Sequence, residues 1–301
     1  MSKQGRCFIT PSFAGDFERC RLLVESRRLM APEIPHYIIV DAPDFAQFRQ
    51  LACPTTIVLD SREFMHPAFH KLPGRNGWWW SVRTPPLRGW MTQQIRKFAI
   101  AESVDADVVI SLDSDVVFIR PFDGSVFTDA KGRTALFSVD YRNAQVEAWT
   151  KQAARLLGAP NPSVPNNYIS TMIPWNRKHV RGMLTRLEQR TGEAWQLAIA
   201  RLSTFSECQL YGYYIEEMLG HDAAHTFPFT DELVKLVWTE GDSRPCLETV
   251  FTGTKPQNVA VMVHSKDGFS PKEYEPIVRR FWERHDANDI TDPDPRRYAI
   301  A

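Results

Sequence analysis

Two carboxylates, Asp113 and Asp115, flank Ser114 directly after the apolar run Val108–Leu112, and a second apolar run, residues 116–119, follows them. If the chain turns at Ser114, both carboxylates can reach one divalent cation. Hard cations such as Mg²⁺ and Mn²⁺ favour carboxylate oxygen and keep coordination positions open for phosphate oxygens. The plainer reading is a strand that ends in a turn carrying two solvated Asp side chains. Apolar sequence on both sides shifts the balance toward an enclosed pair. Arg96, Lys97 and Lys266 are cations that can supply fixed positive charge where negative charge develops, or they are simply solvated surface residues.

Such a pair needs a sheet to deliver it. Residues 6–10 form a short apolar run that stops at Thr10-Pro11-Ser12, and helical spacing through Leu22, Leu23 and Leu29 follows. His36–Val40 and residues 56–59 are further strand candidates, the first closed by Asp41. Residues 89–104 carry helical spacing through Met91, Ile95, Phe98 and Ile100 and lead into Val108–Leu112. Strands alternating with helices predict an α/β fold with a mostly parallel central sheet covered on both faces. In such sheets ligands bind beyond the carboxyl ends of the strands, which puts Thr10, Pro11, Ser12 and Asp41 at that rim. The second half is less regular. Residues 134–139, 168–174 and 258–263 read as strands, and 145–157, 177–189, 207–219 and 271–283 as helices. The Asp-, Pro- and Arg-rich tail, 285–301, reads as a loose end. With no internal repeat and no low-complexity linker, residues 1–301 read as one domain.

Composition narrows the function. The chain has 301 residues, with 36 Lys and Arg against 36 Asp and Glu, and is 43% hydrophobic and 24% charged, which excludes a disordered or collagenous protein. A pI near 7.1 gives no global basic footprint, so a nucleic-acid partner is not expected. The longest apolar runs fall far short of the ~20 residues of a membrane-spanning helix, and the first residues hold no signal-peptide core. Cys7, Cys20, Cys53, Cys208 and Cys246 are odd in number and widely spaced, as buried thiols of a reducing compartment would be. The expectation is a soluble, cytoplasmic protein.

An apolar strand, Asp-Xaa-Asp and an apolar stretch ending at Arg120-Pro121-Phe122 together resemble the metal and nucleotide-sugar motif of glycosyltransferases with the GT-A fold. The resemblance is closest to a bacterial family of uncharacterised GT-A glycosyltransferases, in which a Trp and paired Gln precede a Lys-bearing helix before the Asp pair. Here those residues are Trp90, Gln93, Gln94 and Lys97. The resemblance implies a Rossmann-like, three-layer α/β/α domain, with residues 6–125 as nucleotide-sugar-binding half and 126–284 as acceptor half. It implies Mn²⁺ or Mg²⁺ held by Asp113, Asp115 and His264, because several such enzymes take a further ligand from a His after a late strand. Lys266 and Lys97 would then meet the diphosphate, and Thr10, Pro11, Ser12, Asp41, Gln94 and Ser114 would frame the nucleotide. The implied reaction moves a sugar from a nucleotide-diphosphate sugar to a saccharide, lipid-linked or other hydroxyl acceptor, as in bacterial surface polysaccharide or glycoconjugate synthesis.

An inverting transferase also needs a base for the acceptor hydroxyl. The resemblance assigns it to Glu207, at the start of a helix after the acceptor-side strands, with Asp140 as second candidate. Ser206 as helix N-cap with Glu207 in the first turn explains the same residues without catalysis. Retaining enzymes of this fold need no such base. Trp78, Trp79 and Trp80 are adjacent and cannot all turn inward, so their loop offers an aromatic face to an acceptor sugar or a peripheral contact with the inner membrane face. Asn166-Asn167-Tyr168 and Trp175-Asn176 either face an acceptor or form turns. Three other readings stand beside the transferase. A nucleotidyltransferase that makes the sugar nucleotide shares the fold but wants a Gly-rich, basic first loop, which Thr10-Pro11-Ser12-Phe13-Ala14-Gly15 lacks. A haloacid-dehalogenase-type phosphatase would use Asp113 as covalent nucleophile, and a nucleotide- or sugar-binding protein would keep the fold without turnover.

Overall fold

The structure is a computed structural model and describes residues 5–72, 78–141, 143–160, 166–237 and 244–287. In chain order its strands are β1 (Arg6–Pro11), β2 (His36–Val40), β3 (Thr56–Asp60), β4 (His70–Lys71), β5 (Trp79–Ser81), β6 (Thr84–Leu87), β7 (Val108–Leu112), β8 (Val116–Phe118), β9 (Thr134–Phe137), β10 (Met172–Asn176), β11 (Thr226–Phe229), β12 (Val234–Val237) and β13 (Ala260–Val263). The α-helices are α1 (Phe17–Met30), α2 (Ala42–Phe48), α3 (Gly89–Ser103), α4 (Ala144–Leu157), α5 (Arg177–Thr191), α6 (Trp195–Ala200), α7 (Glu207–Tyr213), α8 (His221–Ala224), α9 (Leu247–Thr252) and α10 (Pro271–Ala287).

The central sheet has the order β10-β7-β1-β2-β3 and is parallel except for β10, which runs against β7. Side chains alternate between its faces, as strand geometry requires. Cys7, Ile9 and Val109 pack into the core formed with α3 and α5, while Phe8, Val108 and Ile110 pack into the opposite core with α1 and α10. The result is the three-layer α/β/α arrangement with a mostly parallel sheet that the alternation of elements predicts. The chain steps outward from β1 to β2 to β3 and then returns through α3 to place β7 on the other side of β1. The carboxyl ends of β1 and β7 therefore flank a topological switch point, where open α/β sheets form a crevice for ligands.

Beyond β7 the chain turns at Ser114 and Asp115 and enters β8. Strand β8 pairs antiparallel with β13, and β12 lies parallel on the far side of β13. This small sheet returns the end of β13 to the Asp pair: the Val263 N–H donates to the Asp115 carbonyl at 3.0 Å. A late segment thus reaches a strand end laid down 150 residues earlier, the separation of Asp115 and Ser265.

Several elements differ from expectation. Trp79 and Trp80, expected in a long loop, lie in β5, the middle strand of a small antiparallel sheet ordered β4-β5-β6. The strand predicted over 168–174 starts only at Met172 and extends to Asn176. Asn167 Oδ1 accepts the Ile169 N–H at 3.1 Å, a side-chain turn that competes with ladder formation. Pro174 is tolerated because β10 lies at the sheet edge. The helix predicted over 207–219 changes character at Tyr214, where Tyr214–Leu219 continue as a π-helix. All five cysteines are free thiols; Cys7, Cys20 and Cys208 are buried, whereas Cys53 is half-buried and Cys246 exposed where burial was expected. The tail beyond 287 lies outside the described residues. Among the described residues, no helix is long and apolar enough to cross a membrane.

Candidate active site

The site begins at the end of β7. Asp115 is buried, and its Oδ2 accepts the Ser265 N–H at 3.1 Å. Its Oδ1 is also buried and has no hydrogen-bond partner. Burial, followed by the neighbouring Asp113 charge, pushes the Asp115 carboxyl up to about 7. A carboxylate in this state gains from any cation that meets its bare oxygen. Asp113 is more open, with 37% of its side chain exposed, and forms an ion pair with Lys97 at 3.0 Å. Ser114 Oγ donates to Asp16 Oδ2 at 3.4 Å, bringing a further carboxylate from the first loop to the pair. Burial raises the Asp16 carboxyl, partly offset by Arg19. Nothing in the sequence around Asp16 announced it.

Helix α3 supplies the charge behind the pair. Gln94 and Lys97 are three apart and share one helix face, which turns toward α7. Lys97 Nζ stands between two carboxylates, donating to Glu207 Oε1 at 3.1 Å and pairing with Asp113. Burial alone would lower the ammonium, but Asp113 and Glu207 together more than offset it and hold Lys97 above its ordinary value. Gln94 Oε1 accepts the Glu207 N–H at 2.8 Å, and Ser206 Oγ accepts the Gln209 N–H at 3.3 Å, so the first turn of α7 is capped from two sides. Gln94 and Glu207 are therefore brought to the site, but both side chains face protein partners. Glu207 is buried against Lys97, with 8% of its side chain exposed.

The first loop is drawn into the same crevice more by backbone than by side chains. Thr10 is fully buried and its hydroxyl pairs with His36 Nε2 at 2.8 Å. Pro11 ends β1, and the Ser12 N–H donates to the Ile39 carbonyl at 2.9 Å. Asp41, at the end of β2, is also fully engaged. It accepts from Ser61 Oγ at 3.0 Å and from Arg96, and pairs with Lys71 at 2.9 Å. The Arg96 guanidinium in turn lies 5.2 Å from the Trp79 ring centroid. Sequence reasoning placed Asp41 at the rim but missed the two cations that neutralise it.

His264 follows β13, and its Nδ1 accepts the Lys266 N–H at 3.2 Å. Lys266 itself is exposed, on a short turn closed by Gly268 at φ 73. Asp113 and His264 both line a hollow of about 270 Å³ whose polar walls also include Ser170, Thr171 and Glu232. Its apolar lining comes from Phe137, Ile169, Val234, Leu236 and Met262. Glu232 is a site residue the sequence reading did not single out. Asp140 lies outside this lining.

Among the described residues, no three His, Cys, Asp or Glu side chains are grouped closely enough to hold a metal ion by themselves. The donor set nevertheless suits a hard cation: a bare, buried Asp115 Oδ1 and an open Asp113 at the hollow. Such ions are commonly bound through one or two carboxylates, with phosphate oxygens and water filling the remaining positions.

Of the three adjacent tryptophans, Trp79 is buried beneath Arg96, and Trp78 is half-buried with Arg88 5.7 Å from its centroid. Trp80 stacks on His70 at 5.3 Å and is the exposed member. Asn166 and Tyr168 both bond to Glu216, and Asn176 caps α5, while Trp175 is wholly buried. Asn166, Tyr168 and Asn176 thus spend side-chain polar groups on protein partners, while Trp80 presents a ring to the surface.

Among solved structures, the chain is similar to the galactosyltransferase LgtC in complex with donor and acceptor sugar analogs, at 11% identity and a TM-score of 0.44, covering 96% of this chain and 98% of that one. An active-site mutant of LgtC matches at 13% identity and 0.44, over 96% and 98% of the two chains. The apo-form glycosyltransferase GlyE of Streptococcus pneumoniae TIGR4 matches at 11% and 0.45, over 96% of this chain and 65% of that one. No curated protein matches the chain. A family described as "Family of unknown function (DUF6492)" matches residues 8–250, from within β1 to within α9 and therefore across the Asp pair, Glu207 and Glu232. The chain belongs to this family, DUF6492.

Proposed function

We propose that the protein is a metal-dependent glycosyltransferase of the GT-A type, moving a sugar from a nucleotide-diphosphate sugar to a hydroxyl acceptor. The observation that carries this reading is the Asp113-Ser114-Asp115 turn at the switch point, with one bare buried carboxylate oxygen in front and a buried lysine behind. In this reading Asp113, Asp115 and His264 hold Mn²⁺ or Mg²⁺ together with the donor's diphosphate. The ion supplies Lewis-acid stabilisation of the leaving diphosphate. Lys266, exposed beside His264, approaches the same phosphates. Lys97 fixes the Asp113 carboxylate from inside the protein. Pro11, Ser12 and Ser114 frame the nucleoside at the crevice, with Thr10 and Asp41 shaping that wall through His36 and Arg96. Glu207, expected as the base, is turned to Lys97 and enters the proposal as the counter-ion that positions it.

Calorimetric titration of UDP, GDP, ADP and CMP, with and without Mn²⁺, tests the reading. Binding of one nucleotide only in the presence of metal, lost in Asp115→Ala, is expected. Turnover of p-nitrophenyl phosphate without nucleotide binding would replace the transferase by the phosphatase that uses Asp113. Metal-independent nucleotide-sugar binding without sugar transfer would leave a binding protein.

A further inference from the structure

We infer that the hollow beside Asp113 is a subsite for a neutral or amino sugar, that Glu232 recognises it, and that acidic sugars are excluded from it. The inference rests on the transferase reading only in naming that sugar as the acceptor.

At about 270 Å³, the hollow lies near the small end of ligand cavities. Its chemistry is divided in the way a pyranose is divided. A sugar ring has a face of C–H groups and an edge of hydroxyls. Phe137, Ile169 and Met262 offer apolar wall to the first, and Ser170, Thr171 and Glu232 offer hydroxyl and carboxylate groups to the second. Apolar walls with a few placed polar groups are the usual composition of a small-molecule site.

Charge decides which sugar. Asp113 is neutralised from behind by Lys97. Glu232 is different. Its backbone is fixed by Asn258, whose Nδ2 donates to the Glu232 carbonyl at 2.8 Å, while its side chain lines the hollow. No described residue forms a hydrogen bond or an ion pair with its carboxylate. Neutral hydroxyls can donate to this carboxylate, and an ammonium group can pair with it. In the metal-free protein, a uronate carboxylate or a phosphorylated sugar would meet Glu232 across the hollow with no Lys or Arg among the lining side chains. Juxtaposed like charges are how sites reject the wrong ligand.

Saturation-transfer NMR tests this on the full-length protein, with glucose, glucosamine, N-acetylglucosamine and glucuronic acid as probes. The proteins are the wild type, Glu232→Gln and Glu232→Lys. Glu232 is exposed, so neither substitution removes packing. In the wild type, at least one neutral or amino sugar should bind about tenfold or more tightly than glucuronic acid at low salt. Glu232→Gln should abolish the discrimination against glucuronic acid, and Glu232→Lys should reverse it. Added salt should narrow the wild-type ratio. Equal binding of glucuronic acid and glucose by the wild type, an unchanged ratio in Glu232→Lys, or no binding of any probe would each overturn the inference. Titrating the same samples with nucleotide and Mn²⁺ separates the two claims. Sugar selection without nucleotide binding removes the transferase but keeps the subsite, and nucleotide binding without sugar selection does the reverse.

Discussion

Replacing Lys97 by Met removes the ammonium that holds the site together while keeping a side chain of similar length. Lys97 is buried between Asp113 and Glu207, and the two carboxylates differ in their access to water: 37% of the Asp113 side chain is exposed against 8% of Glu207. Removing one partner of a buried ion pair strands the other and costs about 3–5 kcal/mol. That figure applies to Glu207. The share from the more open Asp113 is screened and adds about 0–1 kcal/mol. The equilibrium urea transition of Lys97→Met should therefore shift by an amount equivalent to about 3–6 kcal/mol. A double substitution, Lys97→Met with Glu207→Gln, should recover most of the loss, because it removes both members of the buried pair. A loss below about 1 kcal/mol in the single variant, or a double variant no more stable than the single, would refute the account of Lys97 as a buried bridge.

Three further outcomes follow from other buried groups. Asp115 has its carboxyl raised to about 7 by burial and then by Asp113, so the stability it contributes is whole at low pH and is lost as pH rises through about 7. Asp115→Asn should therefore raise the melting temperature of the metal-free protein at pH 8 more than at pH 5 while abolishing Mn²⁺-dependent nucleotide binding; equal shifts at both pH values would contradict this. His36 is held down to about 3 by burial and then by Arg27, so its contribution is whole above the free-imidazole range near 6.5 and is lost as pH falls toward 3. His36→Gln should flatten the acid limb of the urea midpoint against pH by up to about 1.4 kcal/mol per pH unit, and an unchanged limb would assign acid sensitivity to other groups. In Gly212→Ala, the new Cβ would lie 2.0 Å from Tyr168 Cγ, forcing the ring off Glu216. The expected cost is about 3 kcal/mol, relieved by adding Tyr168→Ala and read from the same urea transition.

Much of the first half was legible because its information is local. Residues 6–10, His36–Val40, 56–59 and Val108–Leu112 are short, mainly apolar runs, and each falls on a strand of the central sheet. The turn at Ser114, left as a condition by the sequence, is supplied by the structure. Pairings across long separations were not legible. Arg96 looks like any helix cation until α3 docks beside β2 and turns it toward Asp41. Glu207 has the same spelling as an N-cap turn and as a base, and only the packing of α7 on α3 shows which group it faces. Glu232 lies in an unremarkable polar stretch before β12, and its place in the hollow depends on the β12–β13 pairing. The strand edge at 168–171 was misjudged because Asn167 offers the backbone a turn that an apolar pattern does not register.

Arg96 and Lys97 are adjacent, yet they serve opposite sides of the switch point. Successive residues on an α-helix project about 100° apart. One docked helix therefore sends Arg96 to Asp41 after β2 and Lys97 to Asp113 after β7, with β1 between them. Other carboxylates near the switch point also have cations: Lys71 adds to Asp41, Lys97 reaches Glu207, and Arg19 lies 3.6 Å from Asp16. Asp115 has no such counter-ion among the described ion pairs, and one of its oxygens is bare. A net charge of zero over the chain thus conceals an uneven distribution at the crevice. Fixed cations stabilise Asp41, Asp113, Glu207 and Asp16 from within the fold, and uncompensated carboxylates are left at Asp115, beside the switch point, and at Glu232, on the wall of the hollow. A divalent cation arriving with a diphosphate would meet the bare Asp115 oxygen without displacing an existing partner of that oxygen.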